Sequence, residues 1–244
     1  MRPHQIRAAI AANVPAVLAI GVQEYHGEHL PVGVDLLAVT RCLERLEADA
    51  PDRLILLPAF GYGAASHAVA GPLATGTLDV ESRVLVPFAE SLFAGLLRVG
   101  FRNIHGVIHH QTENFAQGMP TDLAFRLAAR QAVFAHLEAT RGQGWWGKGD
   151  MAAYYQAAAR GDNPFIWISL HPLMPPEVTQ HLPFDHAGEG ETALMLALCP
   201  DLVDPERMGE NDTWYTASAP KASAKQGEAG VGVILKYLRG LLGL

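Results

Sequence analysis

Cysteine is scarce in this chain, with 2 in 244 residues. Cys42 and Cys199 lie far apart in helical-looking segments, which argues against a disulfide framework and fits a reducing compartment. Charge is sparse too, at 18% of residues, and basic charge more so than acidic. The 18 Lys and Arg against 25 Asp and Glu leave a net charge of −7 and a pI near 5.8. That balance speaks against nucleic acid or an anionic membrane surface as the main partner. No apolar stretch reaches the roughly 18 residues of a membrane span, and the N-terminus lacks a signal-peptide layout. A soluble, cytoplasmic protein is expected. There is no internal repeat, no low-complexity tract and no linker-like segment between halves, so residues 1–244 read as a single domain. With 49% hydrophobic residues, the chain can bury a substantial core.

What is present alternates. Strands are expected at Val14–Val22, Arg53–Pro58, Ile104–His109 and Phe165–Leu170. Helices are expected at Leu36–Ala48, Val80–Val99, Thr121–Thr140, Met151–Ala159, Glu191–Leu198 and Gly227–Leu241. Pro175-Pro176 should break any regular element. Strands separated by such helices imply right-handed crossovers and a mostly parallel sheet in an α/β fold, with ligands at the carboxyl ends of the strands.

Three constellations sit at such ends. The first strand empties into Glu24-Tyr25-His26-Gly27-Glu28-His29-Leu30-Pro31, with Asp35 just beyond. Glu24 and His26 are two apart, so in extended backbone they point to the same side. A carboxylate, an imidazole and a second carboxylate on one rim suit a divalent metal. The third strand leads into His109-His110-Gln111-Thr112-Glu113, where adjacent histidines should face opposite sides and at most one should reach the site. The last is Asp185-His186-Ala187-Gly188-Glu189-Gly190-Glu191-Thr192 at a helix entry, which offers a general acid or base and a further metal ligand.

These motifs resemble the creatininase (creatinine amidohydrolase) family. Its signature G-x-x-E-x-H-G-x-H-L-P-x-x-x-D is matched by Gly21, Glu24, His26, Gly27, His29, Leu30, Pro31 and Asp35. The likeness continues through Phe60-Gly61-Tyr62-Gly63, Gly71 to Leu78, the His-containing strand exit, His186 to Thr192, Leu198 to Asp204 and Ser223 to Glu228, covering most of the chain in order. It implies a three-layer α/β/α fold with a mostly parallel central sheet. It also implies two divalent metals, zinc or else manganese or iron, hydrolysing a C–N amide bond in a small molecule. By this resemblance Glu24 and His26 each hold one metal, Asp35 bridges them, His110 completes the Glu24 site and His186 shuttles the proton. A homo-oligomer, a hexamer, is implied as well.

The departures bear on the second metal and the substrate. Where creatininase proper reads N-G-H-Y-E-N, Thr112 occupies the Glu position, and Thr cannot replace a carboxylate ligand. Glu189 is taken as the replacement, with Glu113 and Glu191 as rivals. Creatininase also places a Trp shortly before its catalytic His, where this chain has His181 to Asp185, a departure that argues against creatinine itself and leaves the amide unspecified. Asp185 is expected to orient the His186 ring. His67, Gly76 and Thr77 fall where the family's substrate loop runs. His29 reads as a loop brace, and His105 as a satisfied buried histidine. Trp145-Trp146 reads as a lid, an oligomer contact or a core element. Deformylase, peptidase and non-catalytic binding roles remain open beside small-amide hydrolysis.

Overall fold

In the computed structural model, which describes residues 1–67, 69–149, 151–161, 163–210 and 213–244, four parallel strands form one sheet in the order β2-β1-β3-β4. The strands are β1 (Ala16–Ile20), β2 (Ile55–Leu56), β3 (Ile104–Ile108) and β4 (Ile168–Pro172). The helices are α1 (Pro3–Ala11), α2 (Val34–Asp49), α3 (Ser82–Val99), α4 (Pro120–Arg141), α5 (Met151–Ala159), α6 (Pro176–Thr179), α7 (Glu189–Leu198) and α8 (Ala224–Leu242). This is the parallel-sheet α/β arrangement that the alternation implies, in the three layers that the resemblance implies.

The layering follows from the sequence of β1. Every residue of this strand is buried, because a parallel strand covered on both faces has no solvent side. Val17 and Ala19 pack with α2, α7 and α8. Ala16, Leu18 and Ile20 point the other way, into a second core built on Phe93 of α3 and Phe125 of α4. Chain direction places the ligand crevice. From β1 the chain moves outward to β2, then returns past β1 to β3. The exits of β1 and β3 therefore flank the point where strand order reverses, which is where open α/β sheets bind ligands.

Beyond shifts of a few residues at the ends of elements, the structure departs from the sequence reading at α1, β4 and α6. α1 is an additional helix. Pro3 opens it, the Gln5 side chain accepts from the Arg2 N–H, and only Ile6, Ala9 and Ile10 reach the core, a stripe too narrow to stand out. β4 starts later than expected because Pro164 initiates a 3₁₀ turn, fixed by Asn163 Oδ1 accepting from the Phe165 N–H. Its terminal Pro172 is tolerated because the bond to Ile108 C=O comes from the Leu173 N–H. Pro176 does not end an element but occupies the first turn of α6, where its missing N–H costs nothing. Trp145 packs against the α3–α4 core while Trp146 stays 43% exposed. Among the described residues no helix is long and apolar enough to cross a membrane.

Candidate metal centre

The loop leaving β1 is held open by backbone ties. Gln23 pairs with Leu78, the Tyr25 N–H donates to Thr77 Oγ1 (3.0 Å), and Glu24 N–H donates to Val32 C=O (2.9 Å). Gly21 sets how close this loop comes to α2. A Cβ there would lie 2.5 Å from Leu36 N and 2.8 Å from the Asp35 carbonyl carbon. Only glycine lets the exit of β1 touch the first turn of α2, and that contact brings Asp35 level with Glu24 and His26. Asp35 also gains from its place at the positive end of the helix.

Around Asp35 the side chains divide into two sets. Asp35 Oδ2 stands 3.4 Å from His110 Nδ1, which is 3.2 Å from Glu24 Oε2. Asp35 Oδ1 lies 3.9 Å from His26 Nε2, which is 3.4 Å from Glu191 Oε2. One carboxylate thus faces Glu24 and His110 with one oxygen and His26 and Glu191 with the other. None of these five residues is more than 5% exposed.

The donor set fits divalent cations. His26 Nδ1 is 2.9 Å from the Glu24 carbonyl. A carbonyl only accepts, so Nδ1 carries the hydrogen and neutral His26 turns the Nε2 lone pair toward two carboxylates. Asp35 Oδ2 is buried without a hydrogen bond. Acceptors so placed repel one another unless a positive charge lies between them. Ligand atoms around a tetrahedral zinc ion stand about 3.3–3.4 Å apart, given bonds of about 2.0–2.1 Å, close to the spacings here. The electrostatics show the same demand. Burial opposes the His110 imidazolium, but Asp35 and Glu24 push its pKa up to about 10. Burial likewise opposes the His26 cation, yet Glu191 and Asp35 raise its pKa. Burial would raise Asp35 and Glu191, but the neighbouring histidines hold both below the ordinary carboxylate range.

Several expectations are corrected. Glu189 belongs to neither set; its carboxylate accepts from Gln226 Nε2 (3.1 Å). Glu191 instead faces His26 and Asp35, since residues two apart on a helix point about 200° apart. Glu113 is exposed and accepts from Asn114. Asp185 does not orient His186. Its oxygens accept from Gly190 N–H (2.7 Å) and Glu191 N–H (3.0 Å), capping α7. The two histidines after β3 do not oppose each other. His110 has φ 115°, which turns the chain so that His109 Nε2 meets Glu191 Oε1 at 3.1 Å while His110 faces Glu24. His109 has no assigned role in the sequence pattern; its only signal there is adjacency to His110.

The remaining residues sort by contact. The His186 ring lies over His26, with centroids 4.3 Å apart, and edge-on to Tyr215. Its Nε2–H donates to the Tyr25 carbonyl (2.8 Å), leaving Nδ1 3.9 Å from Glu24 Oε2. At 21% side-chain exposure it is less buried than the residues it adjoins. His29 pairs with Thr192 Oγ1 (2.9 Å), bracing the loop against α7. Thr77 is buried beneath Tyr25, Gly76 takes φ 80° against Val32, and His67 is exposed on its loop at φ 51°. His105 is partnered by His171 (3.0 Å) and Asn103 (2.8 Å).

A parallel α/β sheet with carboxylates and imidazoles gathered at its switch point has the layout of a metal-dependent hydrolase. The creatinine amidohydrolase family model matches residues 1–236, and the chain belongs to the creatininase family. The creatinine amidohydrolase of Pseudomonas putida is 26% identical over 213 residues, spanning 85% of this chain and 72% of that protein. Among solved structures, a mutant creatininase complexed with creatine superposes with a TM-score of 0.71 at 20% identity, covering 99% of this chain and 95% of the other. A manganese creatininase does so with a TM-score of 0.70 at 21% identity, over 99% and 95%. These likenesses bear on the fold.

Proposed function

We propose that this chain hydrolyses the C–N bond of a small cyclic or linear amide, with two divalent ions held on either side of Asp35. The observation that carries this reading is the sharing of Asp35 between the Glu24–His110 pair and the His26–Glu191 pair. A divalent pair supplies there a water acidic near neutral pH and a Lewis acid for a carbonyl oxygen. The depth of the cluster favours a small substrate, because every proposed ligand is buried and His186 beside them is partly exposed.

Hydrolysis forms a C–O bond, breaks the C–N bond and moves one proton from water to the departing nitrogen. We assign that proton to His186. Its Nε2–H is tied to the Tyr25 carbonyl and its ring lies over His26, so Nδ1, 3.9 Å from Glu24 Oε2 and facing the cluster, is the atom free to take and return the proton. The proposed test is a screen of zinc- or manganese-loaded and metal-stripped protein against cyclic amides, formamides and short peptides. Amide turnover in the loaded protein alone is expected. Turnover confined to peptides would point instead to a metallopeptidase, and none at all to a binding protein.

Self-association is proposed as well. Leu123, Leu127 and Phe134 are about half exposed and share one face of α4, an apolar surface suited to a second copy of the chain. Sedimentation at a mass above 26.2 kDa is expected, and a monomer at micromolar concentration would reject it.

A further inference from the structure

We infer that His109 is a positioning residue for Glu191, so that the two neighbouring histidines after β3 each serve one of the two ion positions. This inference rests on the two-ion reading above. His110 serves the Glu24 position directly, with Nδ1 3.2 Å from Glu24 Oε2. His109 serves the other position at one remove. It is fully buried behind Glu191. Its Nε2 lies 3.1 Å from Glu191 Oε1, and since an ionised carboxylate only accepts, Nε2 carries the hydrogen.

The other Glu191 oxygen accepts from the Ala187 N–H at 2.7 Å and is the one 3.4 Å from His26 Nε2. The carboxylate is therefore gripped at both oxygens with Oε2 aimed at the ion position. The imidazole is itself fixed. Phe184 meets it edge-on at 5.7 Å, and its backbone N–H donates to Ile20 C=O at 3.3 Å. Packing alone does not account for this ring. Its Nδ1 is buried with no partner among the described residues, a cost that an apolar side chain of similar size would avoid. What histidine adds is the donor at Nε2. The positive φ of His110 that turns both rings inward is rare outside glycine, and it creates the division between the two histidines.

Chelator-competition titration with zinc on the full-length protein tests this. H109L keeps the bulk but lacks the donor, H109Q restores a donor, and H109N, too short to reach, replaces H109L should that variant not fold. Wild type is expected to bind two ions. In H109L one of them should weaken by about 10–100-fold, the effect typical of removing a hydrogen bond behind a ligand, while the other changes little. H109Q should recover most of the loss. Metal-free thermal unfolding of each variant separates loss of fold from loss of affinity. Unchanged affinities in H109L, or equal weakening of both ions, would overturn the role of His109 while leaving the two-ion reading intact. Wild type that binds no zinc would overturn both.

Discussion

Removing Asp35 should abolish the response of stability to metal, because both ligand sets use the same carboxylate. Asp35 Oδ2 faces His110 at 3.4 Å and Oδ1 faces His26 at 3.9 Å, and the residue is 1% exposed, so it stands between the two sets out of reach of solvent. An ion that binds only the folded protein and is present at about 100 times its Kd adds about 2.7 kcal/mol, and two such ions about 5 kcal/mol. For a chain of this length each kcal/mol moves the unfolding midpoint by about 2–4 °C. Zinc-loaded wild type should therefore unfold roughly 10–20 °C above metal-stripped wild type. In Asp35→Ala the shift should shrink to a few degrees at most, with metal content near zero. Comparing loaded with stripped protein for each variant cancels any change in metal-free stability. Thermal unfolding paired with elemental analysis gives both numbers. An Asp35→Ala protein that still took up two ions and kept the full shift would refute the bridging arrangement.

The two acids at the start of α7 should separate cleanly. Glu191→Ala should lose one ion, whereas Glu189→Ala, which forfeits only its Gln226 contact, should keep both by elemental analysis. His186→Ala should keep its metals yet lose about 10²–10⁴-fold in turnover on an amide found by the screen; metal loss would make His186 a ligand. Acid should weaken the fold through the His105–His171 pair. Burial lowers both to about 4, with the His105 charge adding to the effect on His171. A lowered imidazole pKa stabilises the fold above its ordinary value near 6.5, and that contribution fades as pH falls from about 6.5 through about 4. Between pH 7 and 5 the pair should cost roughly 2–4 kcal/mol, discounted for partial exposure. Urea unfolding of wild type and a His105→Gln, His171→Gln double variant checks this, and an equal pH slope in the two would contradict it.

The residues at strand exits were legible because the chemistry there is local. Glu24 and His26 alternate in extended backbone, Asp35 follows at a helix start, and the apolar run of β1 marks the strand that carries them. The choice between Glu189 and Glu191 was not. It depends on the rotation of α7, which Asp185 fixes by accepting from the N–H groups of Gly190 and Glu191. That cap becomes visible only once the loop before α7 is folded. The role of His109 was hidden for a similar reason. Alternation puts adjacent residues on opposite sides only while the strand lasts, and β3 ends at Ile108, before His110 turns to φ 115°. Thr77 lay in the segment assigned to substrate, yet its hydroxyl accepts from the Tyr25 N–H, a contact between residues 52 apart in sequence.

The most direct test is a crystal structure of the zinc-loaded protein with anomalous scattering recorded at the zinc edge. Two peaks are expected, one on each side of Asp35, within about 2.0–2.2 Å of its two carboxylate oxygens. One should also be ligated by Glu24 and His110, the other by His26 and Glu191. A single peak, or two peaks that do not share Asp35, would contradict the two-ion centre.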